Sequence, residues 1–256
     1  MHFHNLPFEL WTTLFMFLAG GSFSLYYRAY VKGPAVILRD TEFRTYLGIV
    51  LTAMLLIALN LILSMGMDGS MAARVAVFQV TSLSTTGFVS ADFETWPTFS
   101  KMVLLLLMVI GGCAGSTASG IKVARLILLV RNARAVVLQK LNPNRVVDIT
   151  LTGAHVDGAM LLRVGTFFFL YLAVIFVTAF LLAMDGLLPF DAVAVAITTI
   201  GNIGPAFGIV SATSTYAPLS DFSKAILCLT MLLGRLEIFT LLILLQPSFW
   251  RRTYRW

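Results

Sequence analysis

Five apolar stretches stand out along the chain, at about 8–30, 43–65, 99–130, 162–184 and 222–246. Each is long enough to cross a bilayer core of about 30 Å as a helix, which takes roughly 20 residues. Two further apolar segments, 71–83 and 189–200, are too short. At 1.5 Å per residue they reach only about 17–20 Å. Each follows a turn containing acidic residues or glycine and runs into a Gly-containing motif. The pattern predicts re-entrant half-helices between full spans. A helix lying on the membrane surface is the other reading of each segment taken alone.

The elements repeat. Residues 43–130 read span, acidic turn, half-helix, Gly motif, acidic loop, span, and residues 162–246 read the same way. The two motifs are Ser84-Thr85-Thr86-Gly87-Phe88 and Gly201-Asn202-Ile203-Gly204-Pro205, with Gly87 and Gly204 separated by 117 positions. Repeats in a membrane chain commonly surround a pathway on their shared axis. Residues 1–42 hold one span and a basic loop, like the end of an earlier unit. Residues 131–161 are a basic linker with Pro143, Gly153 and Gly158. The expected fold class is therefore all-α: a polytopic membrane protein with two membrane–pore-loop–membrane repeats plus one preceding transmembrane helix. The divisions are 1–42, 43–130, 131–161 and 162–256.

Composition agrees with a membrane chain. The sequence is 59% hydrophobic and 12% charged, with mean hydropathy +0.90, against about 25% charged residues in a soluble domain. The start, MHFHNLP, lacks the basic region of a signal peptide. Cys113 and Cys228 lie in apolar stretches, which argues against a disulfide framework.

The net charge of +6 is unevenly placed. Threading the spans puts Arg28, Lys32, Arg39, Arg44, Lys122, Arg125, Arg131, Arg134, Lys140, Arg145, Arg163, Arg251, Arg252 and Arg255 on one side. Only Asp40, Glu42, Asp148 and Asp157 share that side. The other side receives Arg74, Lys101 and Lys224 against Glu9, Asp68, Asp92, Glu94, Asp185, Asp191 and Asp221. By the positive-inside rule the first side, with the C-terminus, is cytoplasmic. The basic excess is a topology signal and not a nucleic-acid surface. The acidic outer face would raise the local cation concentration.

A half-helix ending inside the membrane presents its carbonyl end, which favours a cation. The extended backbone beyond it must line protein or water. A glycine at positive φ lets successive carbonyls point one way, and a ring of carbonyls replaces the hydration shell of a monovalent cation. Neither motif has a carboxylate, which argues against a divalent oxygen cage. A single Thr-Gly or Ile-Gly pair also reads as an ordinary helix C-cap. The candidate cation-binding carbonyls are those of Thr85, Thr86, Asn202 and Ile203.

The span at 99–130 contains Gly111-Gly112-Cys113-Ala114-Gly115-Ser116-Thr117-Ala118-Ser119-Gly120. Counted from residue 99, Gly111 lies about 18 Å down, near mid-membrane. Ten small residues with four glycines are a poor helix, so this segment predicts a break forming a flexible intramembrane loop. Close helix packing through Gly111 and Gly115 is the alternative. No P-loop is present, since Ile121 precedes Lys122 and Val123 follows it. His2, His4 and His155 all fall outside the spans, and no intramembrane carboxylates pair, so a membrane enzyme is not expected.

Arg235, within Gly234-Arg235-Leu236-Glu237, lies inside the last span. It stands 31 residues after Gly204, as Thr117 stands 30 after Gly87, so the repeat puts it at the depth of the glycine-rich loop. A buried arginine is costly unless paired or wetted. It would act as a fixed charge below the cation path, or clamp the loop through its carbonyls; an internal pair with Glu237 is weaker, because residues two apart on a helix diverge. Trp250 and Trp256 beside Arg251, Arg252 and Arg255 read as an interfacial anchor.

FMFLAGGSFSLYYRA, FQVTSLSTTGF, GGCAGSTASGIKVARL, TTIGNIGPAFG and GRLEIFTLL run in order through nearly the whole chain. With these motifs the sequence resembles the Trk/Ktr/HKT superfamily of potassium transporters, and within it the C-terminal half of the bacterial Trk-system potassium uptake membrane subunit. The resemblance implies four pore repeats around a pseudo-four-fold axis and K+ as the ion, with no organic cofactor in this chain. It implies a selectivity filter at Ser84, Thr85, Thr86, Gly87, Gly201, Asn202, Ile203 and Gly204. It implies a gating loop at Gly111, Gly112, Gly115, Ser116 and Gly120, a pore arginine at Arg235, and a cytoplasmic nucleotide-binding regulatory ring as partner. The expected location is the bacterial inner (plasma) membrane, in contact with lipid. Two of the four repeats are present here, so a full ring needs a second copy or an N-terminal half. The rival expectation is a non-conducting half-subunit or fragment that needs the missing N-terminal repeats.

Overall fold

The computed structural model describes residues 5–142 and 148–250. His2, His4, Pro143, Arg145, Arg251, Arg252, Arg255 and Trp256, named above, lie outside the described residues. The chain forms α1 (Leu6–Gly20), α2 (Phe23–Lys32), α3 (Ala35–Arg39), α4 (Thr41–Met65), α5 (Gly69–Thr85) and α6 (Thr98–Ile110). These are followed by α7 (Val123–Leu141), α8 (Gly158–Met184), α9 (Pro189–Ile200), α10 (Asp221–Arg235), α11 (Ile238–Leu245) and α12 (Pro247–Trp250). A two-stranded hairpin, β1 (Thr150–Leu151) and β2 (Ala154–His155), pairs antiparallel with Thr150 opposite His155. The chain is a helical membrane protein, as expected.

Among the described residues two helices, α4 and α8, are long and apolar enough to cross a membrane, or up to four spans if each bent pair counts as one. Each long helix offers one stripe to the core: Phe43, Tyr46, Val50, Ala53, Ile57 and Leu61 on α4, and Val164, Phe167, Tyr171, Ile175, Thr178 and Leu182 on α8. The spacing of three and four residues is that of a helix buried on one face. Asp40 caps α4 by accepting from the Phe43 amide at 3.0 Å, and Gly66 ends it at φ 64°, where a left-handed residue closes the last turn.

The short helices sit inside this frame. Asp68 caps α5, and Pro189 begins α9, where its missing amide hydrogen costs no hydrogen bond. Every residue of α5 from Phe78 to Thr85 is buried, as is every residue of α9 from Ala194 to Ile200. Helices buried on all sides at their C-terminal ends are held by protein and not by lipid.

Two expected spans are not continuous. The stretch at 8–30 is broken after Gly20, and α1 and α2 meet at 92°; the stretch at 222–246 is broken at Leu236–Glu237, and α10 and α11 meet at 109°. The first bend follows from Gly20 and Gly21, whose Cα atoms are covered by Tyr46 and Tyr26: a Cβ would lie 2.3 Å from one hydroxyl and 1.9 Å from the other. The second follows from Glu237, a non-glycine residue at φ 59°. The stretch at 99–130 is broken as expected, between α6 and α7. Helix α7 runs on to Leu141, so the start of the basic linker is helical.

Candidate functional site

The C-termini of α5 and α9 come together. Past Thr85 the chain turns through Thr86 to Gly87 at φ 83°, and past Ile200 through Asn202 at φ 52° to Gly204 at φ 109°. Both turns are pinned alike. The Gly87 amide donates to the Ser82 carbonyl at 2.9 Å, and the Ile203 amide to the Thr198 carbonyl at 3.0 Å. The Ser82 hydroxyl donates to the Phe88 carbonyl at 2.5 Å. The Thr198 hydroxyl donates to the Pro205 carbonyl at 2.8 Å and accepts from the Gly204 amide at 3.1 Å. One buried hydroxyl per repeat thus fixes the path of each extended segment.

The segments touch through backbone. A Cβ built on Gly87 would lie 1.7 Å from the Ile203 carbonyl oxygen, whereas one on Gly204 meets nothing within 4 Å. Gly204 borders a cavity of about 380 Å³ that also touches Thr198, Tyr216, Lys224 and Cys228. Among the described residues, the carbonyls of Thr85, Thr86, Asn202 and Ile203 accept no hydrogen bond, although Thr85 and Ile203 are buried. Buried backbone oxygens are paired in the great majority of cases, so the free ones of Thr85 and Ile203 at two adjoining turns stand out, while Thr86 and Asn202 are partly exposed. Those of Phe88, Gly204 and Pro205, by contrast, are occupied.

The Gly204 carbonyl accepts from the Tyr216 hydroxyl at 2.5 Å. Burial pushes this phenol up to about 12, so it remains a donor at neutral pH. The Asn202 side chain reaches the Met231 carbonyl at 3.1 Å and Ser119 at 3.4 Å. Gly234 lets α10 close on this turn, since a Cβ there would lie 1.9 Å from the Ile200 carbonyl oxygen.

The glycine-rich segment is a loop, not a packed helix. Gly111, Gly115 and Gly120 have φ values of 72°, 74° and 93°, which L-residues adopt only with strain. Its two ends pair with each other, Ile121 amide to Val109 carbonyl at 3.2 Å and Lys122 amide to Ile110 carbonyl at 2.9 Å. Its middle pairs with the bend between α1 and α2: Cys113 amide to Gly20 carbonyl at 2.8 Å, Thr117 amide to Ala19 carbonyl at 3.2 Å, and Phe23 amide to Gly115 carbonyl at 3.2 Å. Gly112 packs against the Gly20 carbonyl, and the Ser116 hydroxyl donates to the Cys113 carbonyl at 2.6 Å.

Arg235 reaches this loop. Its Nη1 donates to the Thr117 carbonyl at 2.8 Å. Glu237 does not pair with it; its carboxylate binds Lys122 at 3.2 Å and Arg125 at 2.9 Å, and Arg125 also stacks 3.9 Å over Phe167. Glu42 accepts from the Ala114 and Ala124 amides, the latter at 3.2 Å, and so ties the loop to the first turn of α7. Glu42, Ser119 and Tyr216 were not singled out by sequence pattern, and Thr117 only as the position level with Arg235. The available signal for Glu42 is an acid just inside the start of a long apolar helix. For Tyr216 there is none, because its partner is a backbone atom.

A model of the TrkH family, described as a cation transport protein, matches residues 1–252. The chain belongs to this family. Over 242 residues it is 35% identical to the Trk system potassium uptake protein TrkH of Salmonella typhimurium, covering 93% of this chain and 50% of that protein. It is 36% identical over 259 residues to the TrkH of Vibrio parahaemolyticus, covering 98% and 52%. To the Trk system potassium uptake protein TrkG of Escherichia coli it is 31% identical over 256 residues, covering 98% and 52%. The crystal structure of the potassium transporter TrkH from Vibrio parahaemolyticus superposes with a TM-score of 0.89 at 34% identity, covering 98% of this chain and 54% of that one. The chain thus spans about half the length of the TrkH relatives it matches.

Proposed function

We propose that this chain supplies two of the filter segments of a K+-selective uptake path. The carrying observation is the set of free carbonyls at Thr85, Thr86, Asn202 and Ile203 at two adjoining turns. Backbone carbonyls held by the protein replace the water shell of a monovalent cation, and the two helix C-termini behind them add negative potential. In this reading Ser84–Gly87 and Gly201–Gly204 are the filter segments of the third and fourth repeats, residues 43–130 and 162–256. Residues 1–42 carry the last helix of a preceding repeat, and 131–161 are a cytoplasmic linker. The loop at Gly111, Gly112, Gly115, Ser116 and Gly120, clamped by Arg235, is the gate beneath them. Movement is passive, down the ion's gradient.

The named relatives are potassium uptake proteins twice this length, which supports K+ as cargo and a ring completed by an N-terminal half or a second copy. The location proposed is a bacterial inner membrane, with the basic face and C-terminus cytoplasmic, where a nucleotide-binding regulatory ring would dock. A second reading, a half-subunit inactive by itself, is favoured by the half-length coverage.

Radioactive rubidium uptake into proteoliposomes tests both, with K+ and Na+ as competitors, for the chain alone and for the chain reconstituted with an N-terminal half. Uptake blocked by K+ and abolished by Gly87→Asp is expected in at least one arm. Uptake in the second arm only selects the half-subunit reading. Uptake unchanged by Gly87→Asp overturns the filter assignment.

A further inference from the structure

Helix α7 carries two guanidiniums, Arg131 and Arg134, one turn apart, on a pocket the ion path does not use. The pocket has a volume of about 340 Å³ and is also lined by Leu138, Asp148 and Thr150. Arg131 is anchored by donating from Nη1 to the Thr150 carbonyl on β1, which fixes its fork and leaves its other donors open. Among the described residues neither arginine pairs with a carboxylate. The carboxylate on the pocket, Asp148, bonds His155. The floor is rigid, because Leu128, Ala135, Ile149, Val156 and Val164 form a small core joining α7, the hairpin and α8.

The depth of this pocket follows from the helices. With α6 entering from the acidic side, its 13 residues descend about 20 Å. Helix α7 starts beside the first turn of α4, where the Ala124 amide donates to Glu42, and passes the N-terminal part of α8, with Arg125 over Phe167, so Arg131 and Arg134 lie at the basic end of both long helices. For a hydrocarbon core of about 30 Å this is the headgroup level of the opposite leaflet. The flanking surface is apolar and open: Val130, Val137 and Leu141 are 62%, 59% and 71% exposed. They stand four before, three after and seven after Arg134, so they share its stripe on the helix. An apolar stripe with cations set into it suits the membrane interface and not water.

We propose that this pocket binds the phosphate of an anionic phospholipid, with Arg131 and Arg134 holding the headgroup and the stripe through Val130 and Val137 packing an acyl chain. A guanidinium fork matches a phosphate's oxygens geometrically. A soluble phosphate would use the same forks but leave the apolar stripe without a partner. The proposal rests on the membrane placement of α7 and is independent of the ion-path reading.

The test is thermal unfolding of the full purified chain in mixed micelles, titrated with phosphatidylglycerol, with phosphatidylcholine, or with inorganic phosphate. Phosphatidylglycerol should raise the melting temperature where the other two do not. Arg134→Gln, which removes no intramolecular bond seen here, should weaken the apparent lipid affinity about tenfold, the value of one charge-assisted contact. Arg134→Lys should weaken it too, because an ammonium lacks the fork. Native mass spectrometry should count one fewer retained phosphatidylglycerol in Arg134→Gln. An undiminished shift in Arg134→Gln overturns the site. An equal shift with inorganic phosphate, or with a soluble acidic peptide, overturns the lipid as its occupant.

Discussion

The Ile203 carbonyl oxygen lies where a side chain on Gly87 would begin, 1.7 Å from the position of its Cβ. The turn of one repeat is therefore built against the turn of the other, and the absence of a side chain at position 87 is a condition of their contact. Gly204 has an equally demanding φ of 109° but open space in front of it.

The two glycines should therefore differ when replaced. Alanine at a positive φ costs roughly 1–2 kcal/mol at either position, which is a melting shift of a few degrees for a domain of about this size. Gly204→Ala should show no more than that. Gly87→Ala must also push the two backbones apart, and its melting temperature in detergent should fall at least about twice as far. Equal shifts would mean the turns are not in contact in solution.

How far these features were readable in the sequence depends on what enforces them. The short segments at 71–83 and 189–200 were legible because length alone decides whether a helix can span, and the helices found are Gly69–Thr85 and Pro189–Ile200. The break at 111–120 was legible because four glycines in ten residues weaken a helix anywhere. The bend after Gly20 was not, because hydropathy runs through it; Tyr46 and the Gly115 carbonyl reach it from distant parts of the chain, and Tyr26 folds back on Gly21 from the next helix. The bend at Leu236–Glu237 has neither glycine nor proline at the break, and there Glu237 turns away to Lys122 and Arg125, more than a hundred residues earlier. The carbonyl–hydroxyl contact of Gly204 with Tyr216 leaves no pattern at all, since half of it is backbone.

Arg235 should hold the loop closed. Its bond to the Thr117 carbonyl is charge-assisted, but Arg235 is exposed and not buried as its place in the span suggested, which puts the contribution at the low end, about 1.5 kcal/mol. Cys113, in the same loop, is 1% exposed and so reports opening. With the exposed Cys228 first replaced by serine, Arg235→Gln should speed alkylation of Cys113 by a small thiol reagent about tenfold or more. An unchanged rate would leave the clamp to the Gly20 and Ala19 carbonyls alone.

Acid should loosen the end of α10 through Asp185. The hydroxyls of Ser220 and Ser223 donate to its carboxylate at 2.5 and 2.7 Å, and they hold its pKa below the ordinary carboxylate value. A depressed carboxyl pKa stabilises the fold fully above the unfolded value, about 3.9, and the contribution fades as pH falls through the folded one. Between pH 5 and pH 3 the melting temperature of the parent protein should therefore fall further than that of Asp185→Asn, the two curves converging at the acid end. Parallel curves would show that the serine bonds do not persist in solution.

Tyr216 offers a sharper probe of the ion path than either glycine, because removing one oxygen changes no packing volume of consequence. Its hydroxyl occupies the Gly204 carbonyl, while those of Asn202 and Ile203 accept no hydrogen bond among the described residues, so in the proposed path the latter two are the ones left for an ion. Tyr216→Phe releases it at a stability cost of about 0.5–1.5 kcal/mol. An extra, unrestrained carbonyl beside the fourth segment should relax discrimination, so that Na+ competes more effectively against rubidium uptake while K+ competes as before. Tyr216 would then be a positioning residue acting through Gly204. Lower stability with unaltered competition would assign the hydroxyl to the architecture of the outer loop, and would place the Gly204 carbonyl outside the set that meets the ion.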